Sequence, residues 1–371
     1  MDKPVRILHI LQRMEAGGTQ ALLMNMYRKI DRTKIQFDFL VVYKEKQFYD
    51  DEIEELGGHV YKMSFREDLN VLKFKKDLSE FFKTHREYQV VHCHAYTIGY
   101  FCLKAAKKAG IPVRIAHSHS NSMTNDRKKY LKRIMQKLFL VYATDNFACS
   151  EEAGKFLFKN RKFRVLSNAI DSEKFIADTN IRTIVREELN LTNYFVVGHT
   201  GRFRPEKNHK FLIDIFGEIK AKIPNSKLLL IGNSDSCDNI RQYISEKGYT
   251  KDVIILTNRG DMNRIYQAMD IFVFPSKYEG LGIVAIEAQA SGIPVICSTG
   301  VPIETKVTPL YDRKSLEDTA YDWAQSGIQL SKNCMTHTNM QEYIISSGYD
   351  IGSMAKEMED YYLCKVKGGL K

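Results

Sequence analysis

Two carboxylates, Glu279 and Glu287, bracket a turn with glycines at 280 and 282 and the helix-like run that follows from Ile283. The apolar stretch Ile271–Phe274 reads as the end of a buried strand, and Gly292 ahead of Pro294 closes the helix. A glycine-relieved turn entering a helix exposes unpaired N–H groups at the positive end of the helix dipole, which suits a phosphate. Both glutamates are expected to face the same place. They would repel a phosphate, so as ligand groups they fit sugar hydroxyls, or else an acid/base pair. The bland reading is that strand, turn and helix with glycines are ordinary in α/β proteins, and that either glutamate is a solvated residue at a helix start.

Other candidate groups also follow strand-like segments. After the strand Tyr194–His199 come Gly201, Arg202, Lys207 and Asn208; a guanidinium fork and a lysine point charge in one loop can converge on a diphosphate, or form a basic surface loop. After the first strand, Val5–Leu11, lie Gly17 and Gly18, followed by Thr19, read as the N-cap of the next helix. That loop lacks the dinucleotide glycine pattern and has no P-loop lysine. His92 and His94 follow one strand, and His117 and His119 the next. Alternate residues on a strand share a face, so either pair hints at a metal, yet no carboxylate or cysteine set with metal spacing accompanies them. A histidine hydrogen-bonding a sugar hydroxyl is the better functional reading, against satisfied core histidines. Ile231-Gly232-Asn233, and Arg259 in Asn258–Asp261, are weaker signs of a nucleotide site.

The elements that must position these groups alternate. Strand-like and amphipathic helical segments run from Val5 to Asn168 and restart at Tyr194, which predicts βαβ units with helices on both faces of a parallel sheet. The fold class is therefore α/β, with two Rossmann-like doubly wound domains, 1–172 and 177–349. Ligand is expected where carboxyl ends of strands meet. Beyond Pro309 the pattern reads as helical. The closing segment Asp350–Cys364 is amphipathic through Ile351, Met354, Met358, Tyr361 and Tyr362.

Length and charge bound the rest. The chain has 371 residues and a formal charge of +10. Residues 1–175 hold 32 Lys/Arg against 21 Asp/Glu, and 176–371 hold 23 against 24, so the basic excess lies in the first half. It is densest over 101–140, where ten basic residues face Asp126 alone and Tyr130, Leu131, Ile134, Met135 and Leu138 recur at helical spacing. Such a helix suits an anionic membrane surface, or simply packs on a core with its basic face in water. Nucleic acid is not expected, since zinc-finger and RNP-like patterns are missing. Seven cysteines are scattered without paired spacing, which argues for reduced thiols. No apolar run approaches the roughly 20 residues of a membrane span, and the first apolar segment is too short for a signal peptide. A cytoplasmic protein, peripheral at the plasma membrane, is the expectation.

The ordered set Gly17-Gly18-Thr19, Ser167-Asn168 with Asp171 and Phe175, Gly201-Arg202 with Lys207-Asn208, Pro275-Ser276 with Glu279 and Glu287, and Gly292-Ile293-Pro294 resembles glycosyltransferase family 4, the retaining GT-B enzymes. Ile286–Gly292 and Thr305–Pro309 look most like the bacterial capsule and exopolysaccharide branch. The resemblance implies that the second domain binds a sugar nucleotide, with uridine the expected base, and the first domain a glycan or polyprenyl-diphosphate-linked acceptor. It implies Arg202 and Lys207 on the diphosphate, helped by Gly201 and by backbone N–H groups around Gly280, Leu281, Gly282 and Ile283. Glu287 would hold the ribose, Glu279 the transferred sugar, the Arg259 loop the base, and His117 or His119 the sugar near its anomeric carbon. It implies no metal and no further cofactor, and a last helix, about 350–371, crossing back to the first domain. Gln20 stands where many relatives carry glutamate. A non-catalytic sugar-nucleotide-binding subunit of an assembly complex is the alternative.

Overall fold

The computed structural model describes residues 3–15, 17–119, 129–232, 237–333 and 337–368. Asn233, Cys334 and Asp126 with its basic neighbours up to Lys128 lie outside them. The chain divides into two compact units, 1–169 with 351–371, and 170–350.

The first unit runs β1 (Val5–Ile10), α1 (Gly18–Lys29), β2 (Ile35–Val41), α2 (Asp50–Glu55), β3 (Val60–Lys62), α3 (Phe65–Asp68), α4 (Val71–Thr84), β4 (Val90–Cys93), α5 (Tyr96–Lys108), β5 (Val113–Ser118), α6 (Lys129–Tyr142), β6 (Asp145–Ala148), α7 (Glu151–Phe158) and β7 (Arg164–Val165). Its seven strands lie in the order β3-β2-β1-β4-β5-β6-β7, all paired in parallel. Because both faces are covered, the strands are apolar rather than alternating: Ile7, Leu8, Phe37, Phe39, Leu40, Val90 and Val91 are all fully buried.

Asp38, buried in β2, is the polar exception. It accepts from Arg6 Nε at 2.6 Å, from the Tyr88 hydroxyl at 2.8 Å and from the His59 amide at 2.8 Å. These partners hold its carboxyl below the usual range although burial works against them.

The second unit runs α8 (Thr179–Glu188), β8 (Phe195–Thr200), α9 (His209–Lys222), β9 (Ser226–Gly232), α10 (Asp238–Glu246), β10 (Val253–Thr257), α11 (Met262–Gln267), β11 (Ile271–Phe274), α12 (Ile283–Ala290), β12 (Val295–Ser298), β13 (Tyr311–Lys314), α13 (Ala320–Asn333) and α14 (Gln341–Ser346). Its sheet order is β10-β9-β8-β11-β12-β13. The order reverses between β8 and β11, so the loops after these two paired strands open side by side.

The last helix, α15 (Ile351–Gly368), belongs to the first unit. Ile351, Met354, Met358, Tyr361 and Tyr362 are buried in its core with Leu23, Tyr27, Phe37 and Phe147. At about 1.5–3 kcal/mol per buried large apolar side chain, this face anchors the end of the chain to its beginning.

Three expectations are corrected. The stretch beyond Pro309 is not purely helical, because β13 pairs with β12 and completes the sheet; Tyr311-Asp-Arg-Lys alternates one buried position with polar ones, as an edge strand does. Thr19 is not an N-cap: α1 starts at Gly18, with extended Gly17 as the capping residue and no side-chain cap bond. The apolar face expected on α6 is rotated. Ile134 stands 54% exposed, whereas Phe139 and Leu140 are buried, and Phe139 fits against α5 only because Gly99 carries no side chain: a Cβ there would come within 2.5 Å of the ring. The side chains of Tyr130 and Leu131 lie outside the described set.

Candidate active site

The second unit builds a compact site at its strand reversal. Gly201, directly after β8, donates its amide to Ile231 O at 2.9 Å, and a Cβ on Gly232 would approach Gly201 O to 2.6 Å. Gly232 is thus required by backbone packing against the post-β8 loop. The loop then turns through a short 3-10 segment, Pro205–Lys207, ended by Asn208 at φ +57°. Its Glu206 carbonyl accepts from the Lys277 amide at 2.7 Å, which ties the post-β8 loop to the post-β11 loop.

Across that tie, Lys207 Nζ lies 2.6 Å from Glu279 Oε1 and 5.0 Å from the centre of the Phe274 ring. Both charged side chains are mostly buried, at 17% and 13% exposure. The expectation gave them separate tasks; the structure makes them partners. The Arg202 side chain is exposed and forms no ion pair or hydrogen bond among the described residues. Arg259 is engaged by Asp261, with Nε to Oδ1 at 2.7 Å.

Gly282 caps α12 at φ +84°, in the left-handed region, and a Cβ there would press on Phe274 and Val301 at 3.2 Å. The turn is therefore glycine for two independent reasons. Among the described residues the amides of Leu281, Gly282 and Ile283 donate to no other group, while Ala285 N returns to Gly282 O at 2.9 Å. An anion is suited to that cluster of N–H groups.

Glu287 does not share Glu279's surroundings. Its Oε2 accepts from the Tyr266 hydroxyl of α11 at 2.9 Å. Burial pushes its carboxyl up from 4.5 to about 7, partly offset by that hydrogen bond. Tyr266 is a contributor that sequence reasoning missed; its only signal was a tyrosine in the short helix that follows the Arg259 loop. Gln289, on the same helix as Glu287, was also missed. Its amide donates to Ala285 O and Thr305 O, and its carbonyl accepts from Val307 N and Thr308 N, which pins the 305–308 segment under α12.

Gly17, Gly18, His117 and His119 lie in the first unit. Gly17 has Gln20 against it, whose amide donates to Arg13 O at 2.8 Å; nothing stands within 4 Å of a Cβ on Gly18. The two histidine pairs, which the sequence leaves separate, are brought together with His9. His94 Nδ1 lies 2.8 Å from His119 Nε2, His9 Nδ1 3.0 Å from His94 Nε2, and His92 Nε2 3.0 Å from His117 Nδ1. Burial, reinforced by the neighbouring rings, holds His92, His94 and His117 well below 6.5, and burial alone lowers His119 to about 4. All are neutral imidazoles near pH 7. The two differ in depth: His117 is 1% exposed and His119 half-buried.

Two family models match the chain, described as Glycosyltransferase Family 4 over residues 16–174 and as Glycosyl transferases group 1 over residues 180–344. The protein EpsF of Bacillus subtilis (strain 168), named as a glycosyltransferase, is 33% identical over 334 residues, covering 86% of each chain. The chain belongs to glycosyltransferase family 4. The capsular polysaccharide biosynthesis glycosyltransferase CapH of Staphylococcus aureus is 23% identical over 372 residues, covering 98% of this chain and 99% of its own. An Escherichia coli UDP-Gal:alpha-D-GlcNAc-diphosphoundecaprenol alpha-1,3-galactosyltransferase is 24% identical over 308 residues, covering 79% of each. Among solved structures, Anabaena HepE in complex with UDP superposes with a TM-score of 0.79 at 19% identity, covering 97% of this chain and 100% of its own. The fold is accordingly that of the GT-B glycosyltransferases, and the chain is a glycosyltransferase of the polysaccharide-building branch. Among the described residues no helix is long and apolar enough to cross a membrane.

Proposed function

We propose that this transferase is a retaining hexosyltransferase. It moves a sugar from a nucleoside-diphosphate sugar, with a UDP-sugar the expected donor, to a glycan or polyprenyl-diphosphate-linked acceptor in cell-surface polysaccharide synthesis. The observation that carries the reading is Lys207 reaching into the Glu279 turn beside the undonated amides of Leu281–Ile283. A cation and converging N–H groups are what a departing diphosphate needs as it gains negative charge. Exposed Arg202 adds a second cation from the same loop.

In this reading Glu279 exchanges its pairing with Lys207 for the hydroxyls of the transferred sugar once the diphosphate takes the lysine. Glu287, held by Tyr266, accepts from the ribose hydroxyls; Arg259 and its loop face the base; His117 or His119 contacts the sugar. The bond from the anomeric carbon to the β-phosphate oxygen breaks, and the acceptor oxygen bonds to that carbon on the same face. The acceptor's proton passes to the departing phosphate oxygen, leaving a nucleoside diphosphate. With cationic side chains in that role, no divalent metal is needed for the transfer, and nucleic acid has no part in it. HepE in complex with UDP supports the donor class, and the UDP-Gal and diphosphoundecaprenol in the E. coli relative's name support donor and acceptor alike. The non-catalytic alternative gains no support, since all four charged positions stand in place.

The basic first half is proposed to touch an anionic membrane peripherally, at the cytoplasmic face. Lys75, Lys83, Lys104 and Lys108 rim a groove floored by Leu78 and Phe101, a combination suited to anionic lipid.

Hydrolysis of UDP-sugars in the absence of acceptor, together with a thermal-shift screen over nucleoside diphosphates, tests the reading. Lys207→Ala is expected to lower turnover by about 10²-fold or more. A protein unshifted by every nucleoside diphosphate, or one trapped as a covalent glycosyl-enzyme, defeats the donor site or the front-face route respectively.

A further inference from the structure

Three adjacent strands of the first unit carry histidines at or just beyond their C-terminal ends. His9 lies on β1 directly opposite His92 on β4, His94 follows β4, and His117 and His119 lie at the end of β5. The transfer reading uses one of them, His117 or His119, at the sugar, so the metal-bound state is that of the protein without donor. We propose that His94, His117 and His119 form a binding site for a divalent transition metal of the zinc class.

One nitrogen from each of the three rings lies within 4.8 Å of the other two. A tetrahedral ion with imidazole nitrogens at 2.0–2.1 Å separates its ligands by about 3.3 Å, so small side-chain rotations bring the rings to bonding distance. The hydrogen-bond network is compatible with the lone pairs a metal needs. His117 Nδ1 lies 3.0 Å from His92 Nε2, and His92 Nδ1 2.7 Å from the Tyr362 hydroxyl; a metal would select the tautomer in which His117 Nδ1–H donates to His92 Nε2. That tautomer leaves Nε2 of His117 unprotonated, and this atom is buried without a partner among the described residues. On the other branch, His94 Nε2–H donating to His9 Nδ1 frees His94 Nδ1, which already faces His119 Nε2. Outer partners that fix ring orientation and tautomer are a recurrent feature of metal-binding histidines.

Access and selectivity follow from the same residues. His94 and His119 are half-buried and give an entry path, while His117 forms the floor. An all-nitrogen set suits zinc, copper, nickel or cobalt and not the oxygen-seeking magnesium or calcium. Three protein ligands leave a fourth position for water or a ligand.

The test uses the untagged full chain, treated with chelator, desalted and titrated with Co²⁺ without any sugar nucleotide. A tetrahedral cobalt absorption band saturating at one equivalent, displaced by Zn²⁺, is expected, as is one zinc retained per chain after desalting. His94→Gln should weaken Co²⁺ binding by at least about tenfold, and His119→Gln likewise, the latter serving if the former melts early. His85→Gln, outside the cluster, should leave binding unchanged. No cobalt band and no retained zinc, or affinity unaltered in both folded cluster variants, overturns the site. Because no donor is present, these outcomes are independent of the transfer reaction.

Discussion

Replacing Glu287 by glutamine should make the protein more stable above neutrality while impairing its donor site. The carboxyl sits beside Tyr266 in a partly buried, poorly solvated position that raises its pKa from 4.5 to about 7. Between those two pH values the folded protein binds more protons than the unfolded chain, so this group lowers unfolding free energy as pH rises. The rise from 4.5 to about 7, at 1.36 kcal/mol per tenfold change in proton affinity, gives a cost of about 3 kcal/mol, complete above pH 7 and absent below 4.5. Glu287→Gln keeps the acceptor for the Tyr266 hydroxyl and removes the charge. Relative to wild type it should gain about 3 kcal/mol at pH 8, or roughly 6–12 °C in the melting temperature of a domain of this size. At pH 5 the gain should shrink to under about 1 kcal/mol. Urea denaturation of both proteins at pH 5, 6.5 and 8 measures the difference directly, and isothermal titration with UDP gives the functional side. Under the proposed role the variant loses a charged hydrogen-bond acceptor for the ribose, worth about 1.5–3 kcal/mol, so UDP binding weakens at least tenfold. A stability difference that is flat across this pH range would refute the assignment of a desolvated, charge-bearing Glu287.

Two further outcomes follow from the packing. Asp38→Ala removes the carboxylate from the Arg6 guanidinium, leaving it Gly57 O, and leaves the Tyr88 hydroxyl only the longer contact to Tyr61 at 3.3 Å, so it should destabilise the first unit by about 3 kcal/mol; chemical denaturation showing less than about 1 kcal/mol would mean the network is dispensable. Gly282→Ala forces a side chain into φ +84° and against Phe274 and Val301, which should cost about 1–2 kcal/mol and reduce UDP affinity by displacing the amides of the α12 turn; unchanged melting and binding would count against a constrained turn.

Much of this molecule was legible in its sequence because βαβ architecture writes itself locally. Continuous apolar strands, amphipathic helices and glycine-bearing turns after strands need only near neighbours to be recognised. The five apolar positions of α15 announced a buried face at helical spacing, and all five are in the core. Edge strand β13 escaped because its pairing with β12, and not its composition, makes it a strand. The rotation of α6 escaped because Phe139 is admitted by Gly99, a residue on another helix.

The candidate site divides in the same way. Sequence by itself determined the residue types and their order: two cations after one strand, two glutamates around a glycine turn after another, and two histidine doublets. Tertiary structure decided who meets whom. It paired Lys207 with Glu279, gave Glu287 to Tyr266 and set its pKa, and drew five histidines from the ends of β1, β4 and β5 into one stacked cluster. Local sequence fixes backbone conformation over a few residues, whereas charge pairing, burial and ligand convergence depend on strand neighbours far apart in the chain, and only the sheet order supplies those.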